Sequence, residues 1–314
     1  MSSTNVVNFS LRQNKCIERS LVFDGLSRLL PVIKVVDIVY AGLGSVWFSD
    51  FQLAHRLLGI RDMISVEEDE ATYRRATYNK PYRTLSVLHG RSDTVLPPLL
   101  EEGEYAGRSW VVWLDYDRAI VEDRLTELRR LVESLAPNSV LITTFSATPN
   151  AYGRPGTRRE RILELLGDAV DGVLNDQTLD GDELARVLAG GVLNFIKSVA
   201  IQSGRSGGFL PGFSIRYRDG APMVTVGGVL PDETSMSLAE ALMKGSEWPG
   251  IVADPIATPP LTSREIMALQ AALPADTPLT RDDLQAWGFD LSDEALATFS
   301  RHYLRFPSFA QVIG

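Results

Sequence analysis

One cysteine, Cys16, stands in 314 residues, which excludes an internal disulfide and any cysteine-based zinc site. Its plainest reading is a small, buried or half-buried side chain on the first helix. The three histidines, His55, His89 and His302, fall at no ligand spacing, so no metal is expected. No stretch approaches the roughly 18 consecutive apolar residues of a membrane span. The N-terminus, MSSTNVVNFSLRQNK, lacks the basic start and apolar run of a signal peptide, so the chain reads as cytoplasmic. No run of lysine and arginine dominates, and with a net charge of −9 the overall field disfavours nucleic acid as a partner. No internal repeat is visible at periods of roughly 20 to 50 residues.

What is present is concentrated between Val36 and Glu70, in VDIVYAGLGSVWFSDFQLAHRLLGIRDMISVEEDE. An apolar strand over residues 37–41 leads into the turn Gly42-Leu43-Gly44. An amphipathic helix and a second strand ending in the acid Glu67 follow. That is the layout of a nucleotide-binding βαβ unit: the turn lets backbone approach a ligand, and the acid can accept hydrogen bonds from two ribose hydroxyls. Gly42 and Glu67 are 25 residues apart, near the roughly 20 expected of such a unit.

Strands and helices then alternate. Further strands are expected at 83–88, 109–114 and 139–145, with helices between them at 92–100 and 118–135, so the fold class is α/β with a mostly parallel sheet. Helices are also expected at 158–166 and 180–202. Alternating residues around Asp219-Gly220 in 212–230 predict a terminal antiparallel hairpin. An N-terminal helix is expected over 10–30, stopped by Pro31. Arg12, Asn14, Lys15, Glu18 and Arg19 lie before it or on its polar side, either as a solvated face or, for Arg12 and Lys15, as a roof over the cofactor cleft. The domain division is 1–230 for the α/β unit and 231–314 for a small helical appendage. The appendage is punctuated by Pro249, Pro255, Pro259, Pro260, Pro274 and Pro278, with capping signals at Thr262 and Thr280.

This arrangement resembles the class I S-adenosylmethionine-dependent methyltransferases over residues 31–230, and their Rossmann-like sheet is what the resemblance implies. In Tyr40-Ala41-Gly42-Leu43-Gly44-Ser45-Val46 two glycines of the family's first motif are kept, while Tyr40 takes the usual place of an acid and Val46 that of a third glycine. The resemblance implies S-adenosylmethionine as cofactor and S-adenosylhomocysteine as product. Gly42, Gly44 and Ser45 would approach the cofactor's amino-acid end, Tyr40 and Trp47 would line its pocket, Glu67 would hold the ribose, and Ser92 and Asp93 would meet adenine. Asp115 and Asp117 at the end of strand four would lie beside the methyl group as candidate catalytic carboxyls. His89 is either a third catalytic candidate or a strand-end residue packed by adenine.

The subclass follows from absences. LDYDRA after strand four has no Asn-Pro-Pro-aromatic loop for amino groups of bases, and Cys16 precedes strand one, where it cannot serve methylation at pyrimidine carbon. WLDYD resembles the small-molecule O-methyltransferases, but strand five ends Thr143-Thr144-Phe145-Ser146 without their further metal-binding acid. The function implied is methyl transfer to oxygen of a small or medium acceptor. Two alternatives stand beside it: a turnover-deficient binding or sensor protein with a protein partner, and a NAD-binding oxidoreductase. Arg154, Arg158 and Arg159, with Arg161, are either a solvated helix start or a substrate-binding cluster. Phe48 and Phe51 read as core, His55 as structural, and His302 as solvent-facing on the tail.

Overall fold

The structure, a computed structural model, describes residues 12–44, 46–170, 172, 174, 175 and 177–307. Seven strands form one sheet: β1 (Val39–Leu43), β2 (Asp62–Glu67), β3 (Leu85–His89), β4 (Trp110–Ala119), β5 (Ser139–Ser146), β6 (Leu210–Arg218) and β7 (Pro222–Leu230). Their order is β3-β2-β1-β4-β5-β7-β6, with the first five parallel and β7 antiparallel to both neighbours. The hairpin joining β6 to β7 turns at Asp219-Gly220, where Gly220 has φ 76°. β5 is buried at all of its eight positions, as the near-continuous apolar run of a strand covered on both faces requires.

Helices α1 (Gln13–Val32), α2 (Ser49–Leu58) and α3 (Glu70–Asn79) surround β1 and β2 in the chain. α4 (Ser92–Glu101), α5 (Glu122–Ser134), α6 (Arg158–Leu166) and α7 (Gly181–Gln202) follow. α4, α5 and α7 cover one face, where Leu96, Leu128, Leu188 and Val192 share a core with Val112, Leu141 and Val226. α7 is long and apolar enough to cross a membrane and is the one such helix among the described residues, but half of it is buried here. α1 and α2 cover the other face with Leu26, Phe23 and Phe51 against Tyr40, Trp113 and Ile142.

After β7 come α8 (Glu233–Lys244), α9 (Ser263–Ala271), α10 (Arg281–Trp287) and α11 (Asp293–His302). Both capping signals hold: Thr262 with Glu265 and Thr280 with Asp283 form reciprocal boxes. This tail packs on the α1 side. Ile251 and Ile256 bridge to Ser214 and Tyr217 on the β6 edge, and Ile266, Leu284 and Phe299 enter the same core as α1.

Several boundaries differ from the sequence expectation. β1 starts at Val39 because Asp37 still turns, at φ 65°. α1 runs through Pro31, which sits in the last turn, instead of stopping before it. β4 continues to Ala119, so Asp115, Tyr116 and Asp117 lie within the strand and not after it. His302 is 4 % exposed, so it is a core residue; burial, with Arg301 and Arg305 adding to it, lowers its imidazole to about 4.

The order places β1 and β4 side by side, with connections leaving in opposite directions to β2 and β5. Such a switch point opens a crevice at the carboxyl ends of the strands. The end of β1 and the Asp115 segment of β4 therefore frame the site.

Candidate active site

Gly44, just past β1, sits where no side chain fits. A Cβ there would lie 1.9 Å from the Ser65 hydroxyl and 2.9 Å from Glu67 Oε1. Parallel register explains this: Gly42 pairs with Ser65, so alternate residues of β1 and β2 share a face, and Ser65 and Glu67 lean under the turn. Glu67 is 6 % exposed, and its Oε1 has no hydrogen-bond partner, nor has the Ser65 hydroxyl. Burial first, then the charges of Asp69 and Asp50, push its carboxyl up to about 8. Asp69 is committed elsewhere, capping α3 through the amide and hydroxyl of Thr72. Glycine at 44 lets the Ser65 and Glu67 side chains close against the turn, and the unpaired Glu67 oxygen fits the ribose hydroxyls that S-adenosylmethionine would offer.

At the end of β3 the expected residues have partners. His89 stacks on Tyr73 at 5.1 Å between ring centres; its Nδ1 is 3.2 Å from Glu70 Oε2 and its Nε2 3.2 Å from the Glu68 carbonyl. Asp93 accepts from Arg91 at 2.6 Å and from the Thr94 hydroxyl, and hydrogen bonding from Arg91 holds its carboxyl low. Ser92 is buried as α4 begins. His89 and Asp115 stand three strands apart in the sheet, which at about 4.8 Å per strand is roughly 14 Å. The three catalytic candidates are thus not one constellation. Asp117 is exposed, with Arg118 Nε 4.0 Å away.

Asp115 is engaged from an unexpected direction. Lys15 on α1 is buried, and its Nζ lies 2.8 Å from Asp115 Oδ2, 3.4 Å from Glu18 Oε2 and 3.1 Å from the Tyr217 hydroxyl. Burial opposes its charge, but Asp115 and Glu18 outweigh that and hold the ammonium above its ordinary value. Glu18, raised by burial, accepts from Thr225 at 2.6 Å; Thr225 meets Thr144 at 2.7 Å, and Thr144 accepts from the Trp113 indole. α1 therefore does roof the crevice through Lys15, while Arg12 ties to the hairpin turn by donating to the Asp219 carbonyl. The solvated-face alternative fails for Lys15, Glu18 and Arg19, all of them buried. A signal for this was present. At 100° per residue, Lys15, Glu18 and Arg19 continue the stripe of Val22 and Leu26, so they interrupt a core face.

Tyr40 is fully buried and donates to Asp50 Oδ2 at 2.8 Å. Neither Asp50 nor Arg19 was a site candidate in the sequence. Trp47 is 42 % exposed and lines a groove of about 470 Å³ between α1 and α2, together with Cys16, Arg19 and Leu57. Ser45 lies outside the described residues. The arginine cluster divides: Arg158 is 2 % exposed and donates to the Leu179 carbonyl, whereas Arg154 and Arg159 face solvent. Arg158 is thus a structural tie between α6 and the following loop, and no three-arginine substrate surface forms. Among the described residues no three His, Cys, Asp or Glu side chains gather as a metal-binding group.

A sequence family described as "Putative O-methyltransferase" matches residues 7–314. The chain belongs to this family. The match spans nearly the whole chain, tail included, and carries S-adenosylmethionine-dependent methyl transfer with it. The sheet order is that of the methyltransferase fold, and the family match favours methyl transfer over the oxidoreductase alternative. Among solved structures, Trm1 from Pyrococcus horikoshii in complex with S-adenosyl-L-methionine is similar at 13% identity, over 71% of this chain and 58% of that one, with a TM-score of 0.42. Cofactor-bound Rv0187 from MTB is similar at 11% identity, over 69% and 80%, with a TM-score of 0.38. No curated protein matches the chain.

Proposed function

We propose that this methyltransferase moves the methyl group of S-adenosylmethionine to an oxygen of a small or medium acceptor. The observation that carries the cofactor half is Glu67 Oε1, buried and unpartnered against the glycine turn. Gly42 and Gly44, with Ser45, let the cofactor's amino-acid end approach the turn. Glu67 accepts from the ribose hydroxyls, and Ser92 and Asp93 border the adenine. When bound, the sulfonium supplies a methyl group already activated for attack. The chain's own task is to align an acceptor and exclude water. Two cations, Lys15 and Arg19, face the four carboxyl groups of Glu18, Asp50, Glu67 and Asp115 around the crevice.

The oxygen acceptor is supported by the family description and by Asp115, the half-exposed carboxylate on β4. Fixed by Lys15, its carboxylate can hold an acceptor hydroxyl in place. His89, roughly 14 Å away and engaged by Glu70, is left to the adenine side, and Asp117 to the rim. The test is calorimetric titration with S-adenosylmethionine, alongside Glu67→Ala. Micromolar binding, weakened at least tenfold in the variant, is expected. An acceptor panel with the carbon-13-methyl donor should then yield methoxy signals; label appearing on nitrogen or sulfur would overturn the oxygen assignment.

A further inference from the structure

Tyr40 holds the position where the resemblance would place an acid on β1, yet a carboxylate still reaches the glycine turn. It comes from the first turn of α2. Asp50 Oδ2 accepts from Tyr40 at 2.8 Å and lies 3.3 Å from where a Gly42 Cβ would stand. Across from it, α1 supplies Arg19, only 8 % exposed and with its Nε lacking any hydrogen-bond partner. The strongest attraction on that guanidinium comes from Asp50, then from Glu18 and Asp115. Even so, no ion pair of Arg19 within 4.0 Å forms among the described residues, whereas Lys15 closes to 2.8 Å on Asp115 in the same crevice. Burial still raises the Asp50 carboxyl, and Arg19 Nε keeps a donor that no described group accepts. A ligand carrying both signs of charge would satisfy the two at once.

We infer that Asp50 and Arg19 together recognise the zwitterionic amino-acid end of the donor, Asp50 taking the ammonium and Arg19 the carboxylate, with Tyr40 holding Asp50 in place. The inference rests on the cofactor reading above and adds which side chains read that end. In this chain the acid has moved from strand to helix: Tyr40 fills the strand position, and its hydroxyl aims the Asp50 carboxylate over Gly42. Charge-assisted hydrogen bonds of this kind are the stronger ones, so each should weigh on affinity.

Three probes separate the groups in a binding assay. S-adenosylhomocysteine carries both charges, its decarboxylated form keeps only the ammonium, and 5′-methylthioadenosine has neither. Asp50→Asn retains an oxygen for Tyr40 and should weaken S-adenosylhomocysteine and the decarboxylated probe at least tenfold. It should leave 5′-methylthioadenosine unchanged. Arg19→Gln should weaken S-adenosylhomocysteine alone, and Arg19→Lys, which keeps the charge, should restore part of the loss. Unfolding midpoints confirm that each variant is folded, and Arg19→Lys stands in should Arg19→Gln not fold. Equal weakening of all three probes, or unchanged S-adenosylhomocysteine affinity in Asp50→Asn, would overturn the inference. A wild-type protein that binds none of the probes would overturn the cofactor reading itself.

Discussion

On the β2 side of the crevice Glu67 is buried with a bare oxygen, while on the β4 side Asp115 is met by Lys15 at 2.8 Å, and Lys15 in turn by Glu18 and Tyr217. Burial is similar for Glu67 and Glu18, at 6 % and 0 % exposure, so depth alone does not separate them. Pairing does. Where the fold supplies its own countercharge, the group holds the fold together, here by fastening α1 to β4, β6 and β7. Where no partner is provided, the group is left for something that arrives later. An unpaired buried carboxyl costs stability, and its perturbed titration points to a ligand.

The sharpest way to break this comparison is on the paired side. Lys15→Met should destabilise the fold by about 3–5 kcal/mol, because Glu18 and Asp115 lose their countercharge. Adding Glu18→Leu should recover much of that, as denaturant unfolding of the three proteins would show. If Lys15→Met proved neutral, the network would not be structural.

Gly44→Ala comes next. Its methyl group would meet the Ser65 hydroxyl at 1.9 Å and should cost about 2–3 kcal/mol of stability. Cofactor binding should fall below detection. Ser65→Gly in the same chain should restore the unfolding midpoint but not full affinity, since the new methyl still crowds Glu67.

Glu67→Gln sharpens the contrast through pH. The folded-state carboxyl of Glu67 is raised from 4.5 to about 8, so its contribution to stability is complete below about 4.5 and is lost as pH rises towards 8. Raising the pH from 6 to 8 should therefore cost the ligand-free wild type about 2 kcal/mol relative to Glu67→Gln, followed by unfolding at each pH. Parallel curves for the two proteins would mean that Glu67 is not strained by burial. The smallest effect belongs to Asp117→Asn at the exposed rim, within about 0.5 kcal/mol, with unchanged methyl transfer.

Much of the unpaired side was legible in the sequence and little of the paired side. The turn at Gly42 and Gly44, the acid at Glu67 and the strands between are local, written in glycine spacing and strand period. The hairpin at Asp219-Gly220 was equally local. Lys15, Glu18 and Arg19 sit on a helix that reads as half solvated until β4 and the hairpin are placed against it, since Tyr217 and Thr225 are some 200 residues away. Asp50 looked like an ordinary helix-start acid, because only the fold brings it over Gly42 and onto the Tyr40 hydroxyl. Arg158 shows the reverse error: a charge in a basic run taken as a surface feature, which the packing of α6 turns inward. Asp93, expected at adenine, also carries a local bond to Arg91 that the spacing did not announce.

The central claim is that Glu67 is held without a partner in the empty protein until ribose hydroxyls arrive. Calorimetry of S-adenosylhomocysteine binding at pH 7, in two buffers of different ionisation enthalpy, reads it directly by counting protons. The account predicts release of close to one proton from the wild type that is missing in Glu67→Gln, because hydroxyls donating to the carboxylate favour its charged form. Equal proton release by the two proteins, with equal affinity, would contradict it.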